Sequence, residues 1–296
     1  MTSSGNVSGA PTEHRATIGD LEVRYLEWVS SGDPAATPVL ALHGLASSAN
    51  WYERLAARLS REFRVWAPDQ RGHGQTTQAP TGYDWQTLAA DAIRFLDHIG
   101  VERAAVLGHS WGGNVAINVA ARFPERVSRL VMIDGGFLDG HLLPDASWEL
   151  FRNRFAPRNV SGTRQDFLDR ISEQLGDCWA DDLERIVQTM VYEDESGHIQ
   201  DILRPSNHAQ VLESMWGDPP SVTLPNIQCP TLIVPAGPRP DRAGGEFSRT
   251  KTIMVEAAAR AVPNNRVHWI PETIHDIGYH KPDELASVIM EFLAEA

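Results

Sequence analysis

Short apolar runs alternate along this chain with stretches whose apolar residues recur every three or four positions, a rhythm of strands separated by helices. The spacing predicts an opening hairpin, His14 to Asp20 and Leu21 to Val29, turned at Gly19-Asp20 and closed off by Gly32-Asp33-Pro34. Further strands are predicted at Val39-Leu40-Ala41-Leu42, Arg64-Val65-Trp66-Ala67, Ala104-Ala105-Val106-Leu107, Val127 to Ile133 and Thr231 to Val234, with Val267 to Ile270 last. Helical spacing falls at Trp51 to Leu59, at Leu88 to Ile99 and from Gly113 to near Arg122. A closing helix starts at Pro282-Asp283-Glu284, where proline suits the first turn and acids suit the dipole. Such alternation specifies a mostly parallel sheet with helices on both faces.

Between the strands at 127–133 and 231–234 the rhythm changes. Helical segments dominate, at Ser147 to Phe155, Thr163 to Leu175, Asp181 to Tyr192 and Asn207 to Trp216, punctuated by Pro157, Gly162, Gly176, Gly197 and Pro205. That is too much chain for a crossover, so it reads as a cap. The expected division is a flexible N-terminus at 1–16, an α/β core at 17–136 and 223–296, and a helical cap at 137–222. Pro235 to Gly245 reads as a loop.

With 296 residues, 42% of them hydrophobic, the chain can bury a large core as one α/β domain carrying an insertion. A net charge of -13 offers no basic tract for phosphates, so nucleic acid is not an expected partner. Met1 to Ala16 is polar, without the apolar segment of an export signal, and no apolar run approaches membrane-spanning length. Two cysteines, Cys178 and Cys229, then read as reduced thiols of a cytoplasmic protein rather than a disulfide or a metal site. Neither a phosphate-cradling G-x-x-x-x-G-K nor an H-E-x-x-H pair occurs, so no cofactor and no metal are expected.

Chemistry concentrates at Gly108-His109-Ser110-Trp111-Gly112, between a buried-type strand and a helix rich in small residues. A G-x-S-x-G corner strains the serine backbone, pushes its hydroxyl out of the turn and aims the next amide at a carbonyl under attack. A serine hydroxyl needs a histidine to take its proton and an acid to orient that histidine. Among 11 histidines, His275 lies in the loop after the last predicted strand, where it can fold back over the sheet edge towards Ser110. His268, inside that strand, and His280, abutting the closing helix, read as structural.

Two residues compete for the acid. Asp134 ends the strand Leu130-Val131-Met132-Ile133 and is followed by the turn Gly135-Gly136, whereas Asp241 lies in the long Pro/Gly-rich loop after Thr231 to Val234. An orienting acid works best on rigid backbone, which favours Asp134 and leaves Asp241 as the alternative. An oxyanion hole needs two N–H donors, worth about 3 kcal/mol of barrier each. Trp111 supplies one, and the turn His43-Gly44-Leu45 offers the Leu45 amide as the other. His43 reads as a turn-stabilising residue, and Asp69-Gln70-Arg71-Gly72-His73-Gly74 as a second polar turn tying loops together.

With the Ser110 corner, His43-Gly44, Asp69-x-Arg71-Gly72-His73-Gly74 and His275 assembled, the chain from about residue 20 resembles the α/β-hydrolase superfamily. The resemblance implies an eight-stranded, mostly parallel sheet, a cap after the sixth strand and triad order serine, acid, histidine. It makes Ser110 the nucleophile, His275 the base and the Leu45 and Trp111 amides the oxyanion donors. One departure matters. The family's commoner acid sits after the seventh strand in a G-x-x-D turn, where this chain has Gly237-Pro238-Arg239-Pro240, while members with the acid after the sixth strand place it at the Asp134 position.

A serine nucleophile implies acyl transfer to and from an ester or lactone, without the aspartate ester used by related dehalogenases and epoxide hydrolases. Aromatic residues of the cap, most of them packing its interior, leave Phe137, Trp179, Tyr192, Met215 and Trp216, with His208, as expected lining for a bulky or aromatic group. The expected partner is a small ester or lactone, handled by a monomer or homodimer. A carbon–carbon bond hydrolase or lyase, or a slow-turnover ligand-binding member of the fold, are the alternatives. The tryptophan that carbon–carbon hydrolases carry soon after the histidine is replaced here by Asp276-Ile277-Gly278-Tyr279.

Overall fold

The computed structural model describes residues 9–30, 37–158 and 160–295. Gly32-Asp33-Pro34 and most of the polar leader lie outside the described residues. Strands β1 (Thr12–Ile18), β2 (Leu21–Trp28), β3 (Pro38–Leu42), β4 (Arg64–Pro68), β5 (Ala104–His109) and β6 (Val127–Ile133) come first in the chain. An insertion then carries the short strands β7 (Val191–Glu193) and β8 (Ile199–Asp201), before β9 (Thr231–Val234) and β10 (Asn265–Val267) return to the main sheet. The eight-stranded sheet has order β1-β2-β4-β3-β5-β6-β9-β10, antiparallel at β1–β2 and β2–β4 and parallel elsewhere. This is the eight-stranded, mostly parallel sheet that the resemblance to α/β hydrolases implied.

Central strands are buried on both faces, as parallel strands covered by helices must be. Alternate residues divide between two cores. Leu40, Val106, Leu130, Met132 and Ile233 point to one, packed by α2 (Trp85–His98), α3 (Trp111–Arg122) and α9 (Glu246–Ala261). Ala41, Ala105, Leu107, Val131 and Val234 point to the other, packed by α1 (Glu53–Leu59) and α11 (Pro282–Ala294). A one-residue slip in any central strand would swap these sets.

The insertion contributes to both cores. Helices α4 (Trp148–Arg154) and α7 (Pro205–Gly217) place Phe151, Leu212 and Met215 in the first, while α5 (Arg164–Leu175) and α6 (Asp181–Gln188) place Phe167, Leu183 and Ile186 in the second. Short helices α8 (Pro220–Thr223) and α10 (Ile277–His280) complete the set.

Four expectations are corrected. The predicted helix Asp181 to Tyr192 stops at Gln188, and Val191 to Glu193 pairs with β8 instead. The side chain of Asp194 accepts hydrogen bonds from the Ser196 and His198 amides, closing a tight turn at Gly197 that a helix could not make. The last strand is Asn265–Val267, with Ile270 reaching Ala236 only through an isolated bridge. A boundary at residue 16 cuts through β1, whose Thr12 to Ala16 pair with Glu27 to Val23. Helix α9 follows the Pro/Gly-rich loop where no element had been expected, although Thr250, Met254, Val255 and Ala258 mark its buried face.

Candidate active site

Ser110 occupies the sharp corner between β5 and α3 with φ 54 and ψ -124, a region that L-residues enter only under constraint. The constraint is visible. Its amide donates to Ile133 O at 3.0 Å, and a methyl group on Gly135 would collide with the Ser110 carbonyl, so the two strand ends interlock. The serine is the N-cap residue of α3, yet its hydroxyl caps nothing and is left for other work. On the next turn of the corner, a side chain at Gly112 would strike the Leu42 carbonyl, which lets α3 press against β3.

The hydroxyl points at an imidazole. Ser110 Oγ donates to His275 Nε2 at 2.9 Å, and His275 Nδ1 donates to Asp134 Oδ2 at 2.7 Å, with the tautomer assigned from these partners. Asp134 is only 3% exposed and has φ 40, held at the end of β6 by its amide bond to Val234 O. Its Oδ1 accepts the Ala236 amide at 2.9 Å. Asp241 stays away from this assembly, with its side chain 71% exposed and 3.9 Å from Arg242. The geometry therefore brings Ser110, His275 and Asp134 together and leaves the alternative acid outside.

Burial alone would neutralise the Asp134 carboxyl, but the Lys251 charge and the His275 hydrogen bond hold its pKa down at about 2. For His275 burial disfavours the charged ring, and the Asp134 hydrogen bond and charge overcome it, raising the pKa above the ordinary histidine value. Its side chain is still 52% exposed, so the ring meets solvent.

Residues not singled out from sequence hold the histidine loop. His109, beside the serine, is buried, and burial brings its pKa down to about 3, which keeps the ring neutral. Its Nε2 donates to His275 O at 3.2 Å while its ring stacks on Trp51 with centroids 3.9 Å apart. Trp51 in turn donates Nε1–H to Asp276 Oδ1 at 2.8 Å. The signal for His109 was its place inside the G-x-S-x-G corner. Trp51 gave none beyond helical spacing.

The turn expected to supply an oxyanion donor is equally tied down. His43 accepts the Gln70 amide on Nε2 at 3.0 Å and donates from Nδ1 to Gly44 O at 2.8 Å, while Gln70 Nε2 donates to His43 O at 2.7 Å. Both polar turns read from sequence are thus bonded to each other, and the buried His73 stacks on Trp111 at 5.1 Å. Trp111 is the first residue of α3, whose leading amides have no acceptor within the helix. Leu45 is followed by Ala46, which has φ 52 and offers its carbonyl to Arg158 of the insertion.

The expected pocket residues separate. Phe137 and Met215 are buried in the same core as Trp111, with Trp216 packed partly buried against them and its ring tilted against Phe151 with centroids 5.4 Å apart. Trp179 packs against the opposite core and Tyr192 stands 51% exposed on β7, so these two do not join the others. His208 is buried, and burial, reinforced by the Arg158 charge, brings its pKa down to about 4. Both cysteines are free and buried. Among the described residues no helix is long and apolar enough to cross a membrane.

Comparison with known proteins agrees with this fold. A family model described as alpha/beta hydrolase fold matches residues 37–226. Epoxide hydrolase A of Mycobacterium tuberculosis is 33% identical over 150 residues, covering 50% of this chain and 45% of that protein. A soluble epoxide hydrolase of a Corynebacterium species is 36% identical over 125 residues, 42% of this chain and 41% of that one, so the matches span less than half the length of these relatives. The solved structure of E-2-(acetamidomethylene)succinate hydrolase superimposes with a TM-score of 0.77 at 21% identity, covering 96% of this chain and all of that one (100%). That of the enol-lactonase from Burkholderia xenovorans gives 0.71 at 19%, covering 95% and 100%.

Proposed function

For a chain that belongs to the α/β-hydrolase family, we propose hydrolysis of a carboxylic ester or lactone through an acyl-enzyme on Ser110. The observation that supports this most is the contact at 2.9 Å between Ser110 Oγ and His275 Nε2, with Asp134 2.7 Å from the opposite ring nitrogen. As Oγ attacks the acyl carbon, Nε2 takes its proton, and the carbonyl π electrons move onto oxygen between the Trp111 and Leu45 amides. Collapse expels the alkoxide, which takes the proton from Nε2. Water then enters, gives a proton to Nε2, and its oxygen displaces Ser110, which is reprotonated. In a lactone the leaving oxygen stays tethered to the acyl group throughout, and that last step releases a single hydroxy acid.

Epoxide opening is disfavoured by the nucleophile itself. A serine hydroxyl attacking an epoxide carbon would leave an ether, which this constellation cannot hydrolyse, whereas an acyl-serine ester is opened by the step that formed it. The enol-lactonase likeness adds strained and enol lactones to the compounds worth assaying. The Phe137, Met215 and Trp216 cluster beside Trp111 supports a bulky or aromatic group next to the scissile bond.

The test is covalent. A fluorophosphonate probe is expected to label the wild-type chain on Ser110 and to leave Ser110→Ala unlabelled. Equal labelling of the two would remove the nucleophile from the proposal. Because only neutral His275 accepts the proton and its pKa is raised, activity is expected to fall as pH drops through a value above about 6.5. An acid limb that is flat down to pH 5 would contradict the base assignment.

A further inference from the structure

The buried cation beside Asp134 has no part in the steps above. Lys251 is one of only two lysines in the chain, the other being Lys281, so almost all of its 26 basic residues are arginines. Helix α9 turns it back beneath the loop after β9, where its side chain is 11% exposed. Its Nζ lies 2.6 Å from Asp134 Oδ1, 2.8 Å from Asp134 Oδ2 and 3.0 Å from Ala236 O. Three acceptors meet the three N–H donors of one compact ammonium, a site that the planar fork of an arginine does not match.

We propose that Lys251 is a positioning residue of the catalytic assembly, fixing the Asp134 carboxylate towards His275 and restraining the basicity of that histidine. This rests on the hydrolase reading above. Asp134 Oδ2 receives two donors, Lys251 Nζ and His275 Nδ1, while Oδ1 receives Lys251 Nζ and the Ala236 amide. A carboxylate shared in this way pulls less strongly on an imidazolium than one facing the histidine alone.

Charge balance supports the assignment. Around His275 stand Asp134 at Nδ1, Ser110 at Nε2, the neutral His109 ring at 4.9 Å, the Asp276 carboxylate next in the chain, and Lys251 behind Asp134. Asp134 and Asp276 favour the imidazolium, and Lys251 opposes it. In the resting site the charges of Asp134 and Lys251 cancel around a neutral imidazole. After proton transfer, imidazolium and oxyanion cancel as well, so the buried net charge of these groups is the same before and after. Without Lys251 the resting site would hold an uncompensated carboxylate, and His275 would answer by taking a proton from solvent before any substrate arrives.

The experiment measures the rate of Ser110 phosphonylation by a fluorophosphonate against pH, in wild type, Lys251→Met and Lys251→Gln. Both variants lose the charge, and Gln keeps a donor. The acid limb is expected to move upward by roughly one pH unit in each, a tenfold slower reaction below the limb. Folded variants, by circular dichroism and melting, that keep the wild-type limb would overturn the proposal even if their plateau rates fall. Should the variants not fold, the wild type answers: with side-chain 15N-lysine labelling there are only two signals to assign, and that of Lys251 is expected to shift as His275 titrates, with Lys281 as reference. A Lys251 signal indifferent to that titration would equally overturn it. Absence of labelling in the wild type would instead remove the hydrolase reading, a separate failure.

Discussion

The corner between β5 and α3 and the insertion between β6 and β9 are built to opposite standards. At the corner, Ser110 and Asp134 both sit at positive φ, neighbouring carbonyls leave no space for a methyl on Gly135, and every polar ring finds a partner or an aromatic face. The insertion holds two groups of helices that serve two different cores, and its hairpin leaves Tyr192 in solvent. Chemistry needs a geometry fixed to fractions of an ångström, and strain stored in backbone supplies it. Selectivity needs only a shaped apolar wall, which many side chains can form. The difference teaches that the proposed chemistry rests on the corner, whereas the proposed apolar wall is spread over the insertion.

Substitutions can break that contrast in order of effect. Ser110→Ala and His275→Ala are expected to lower kcat/KM for an aryl ester by roughly 10^4-fold or more, and Asp134→Asn by about 10^4-fold, while Asp241→Asn stays near wild type. Ranking Asp241→Asn below Asp134→Asn in steady-state assays would transfer the acid role. Next comes Gly135→Ala, which forces the β6 end away from Ser110 and is expected to cost about 1–3 kcal/mol of stability by denaturant melts, along with most of the activity. An unchanged melting curve would mean that the two strand ends are not interlocked as described.

Smaller effects probe the support and the wall. Trp51→Phe keeps an aromatic face for His109 but loses the bond to Asp276, and a decrease of about tenfold in kcat is expected from a looser histidine loop. Trp216→Ala is expected to raise KM for aromatic acyl esters by roughly 10- to 200-fold relative to acetyl esters, with kcat for acetyl esters little changed. Equal effects on both ester classes would take Trp216 out of the wall. At the bottom of the scale, Tyr192→Ala should leave both parameters within twofold.

How far the sequence could be read follows the same contrast. The strand–helix alternation, Ser110, His275 and the preference for Asp134 were legible because each depends on a short motif, a local period or a strand end. Lys251 was not. It acts on Asp134 across 117 positions of chain from a helix hidden behind a Pro/Gly-rich loop, and no local pattern announces a contact of that range. Trp179 and Tyr192 were misplaced for a related reason: aromatic content identifies a wall, but which of two cores a helix serves is settled only by packing. The end of the Asp181 helix was lost to Asp194 turn chemistry that helical spacing conceals.

Arg158 reaches out of the insertion, pairs with Asp201 at 2.8 Å and donates to the Ala46 carbonyl, one residue beyond the Leu45 amide. Any hinge that lifts the insertion must therefore first release the loop proposed to cradle a developing negative charge. Exchanging insertions between members of this fold to change what they accept would then also disturb how fast they turn over, unless the donor segment brings its own arginine to that carbonyl.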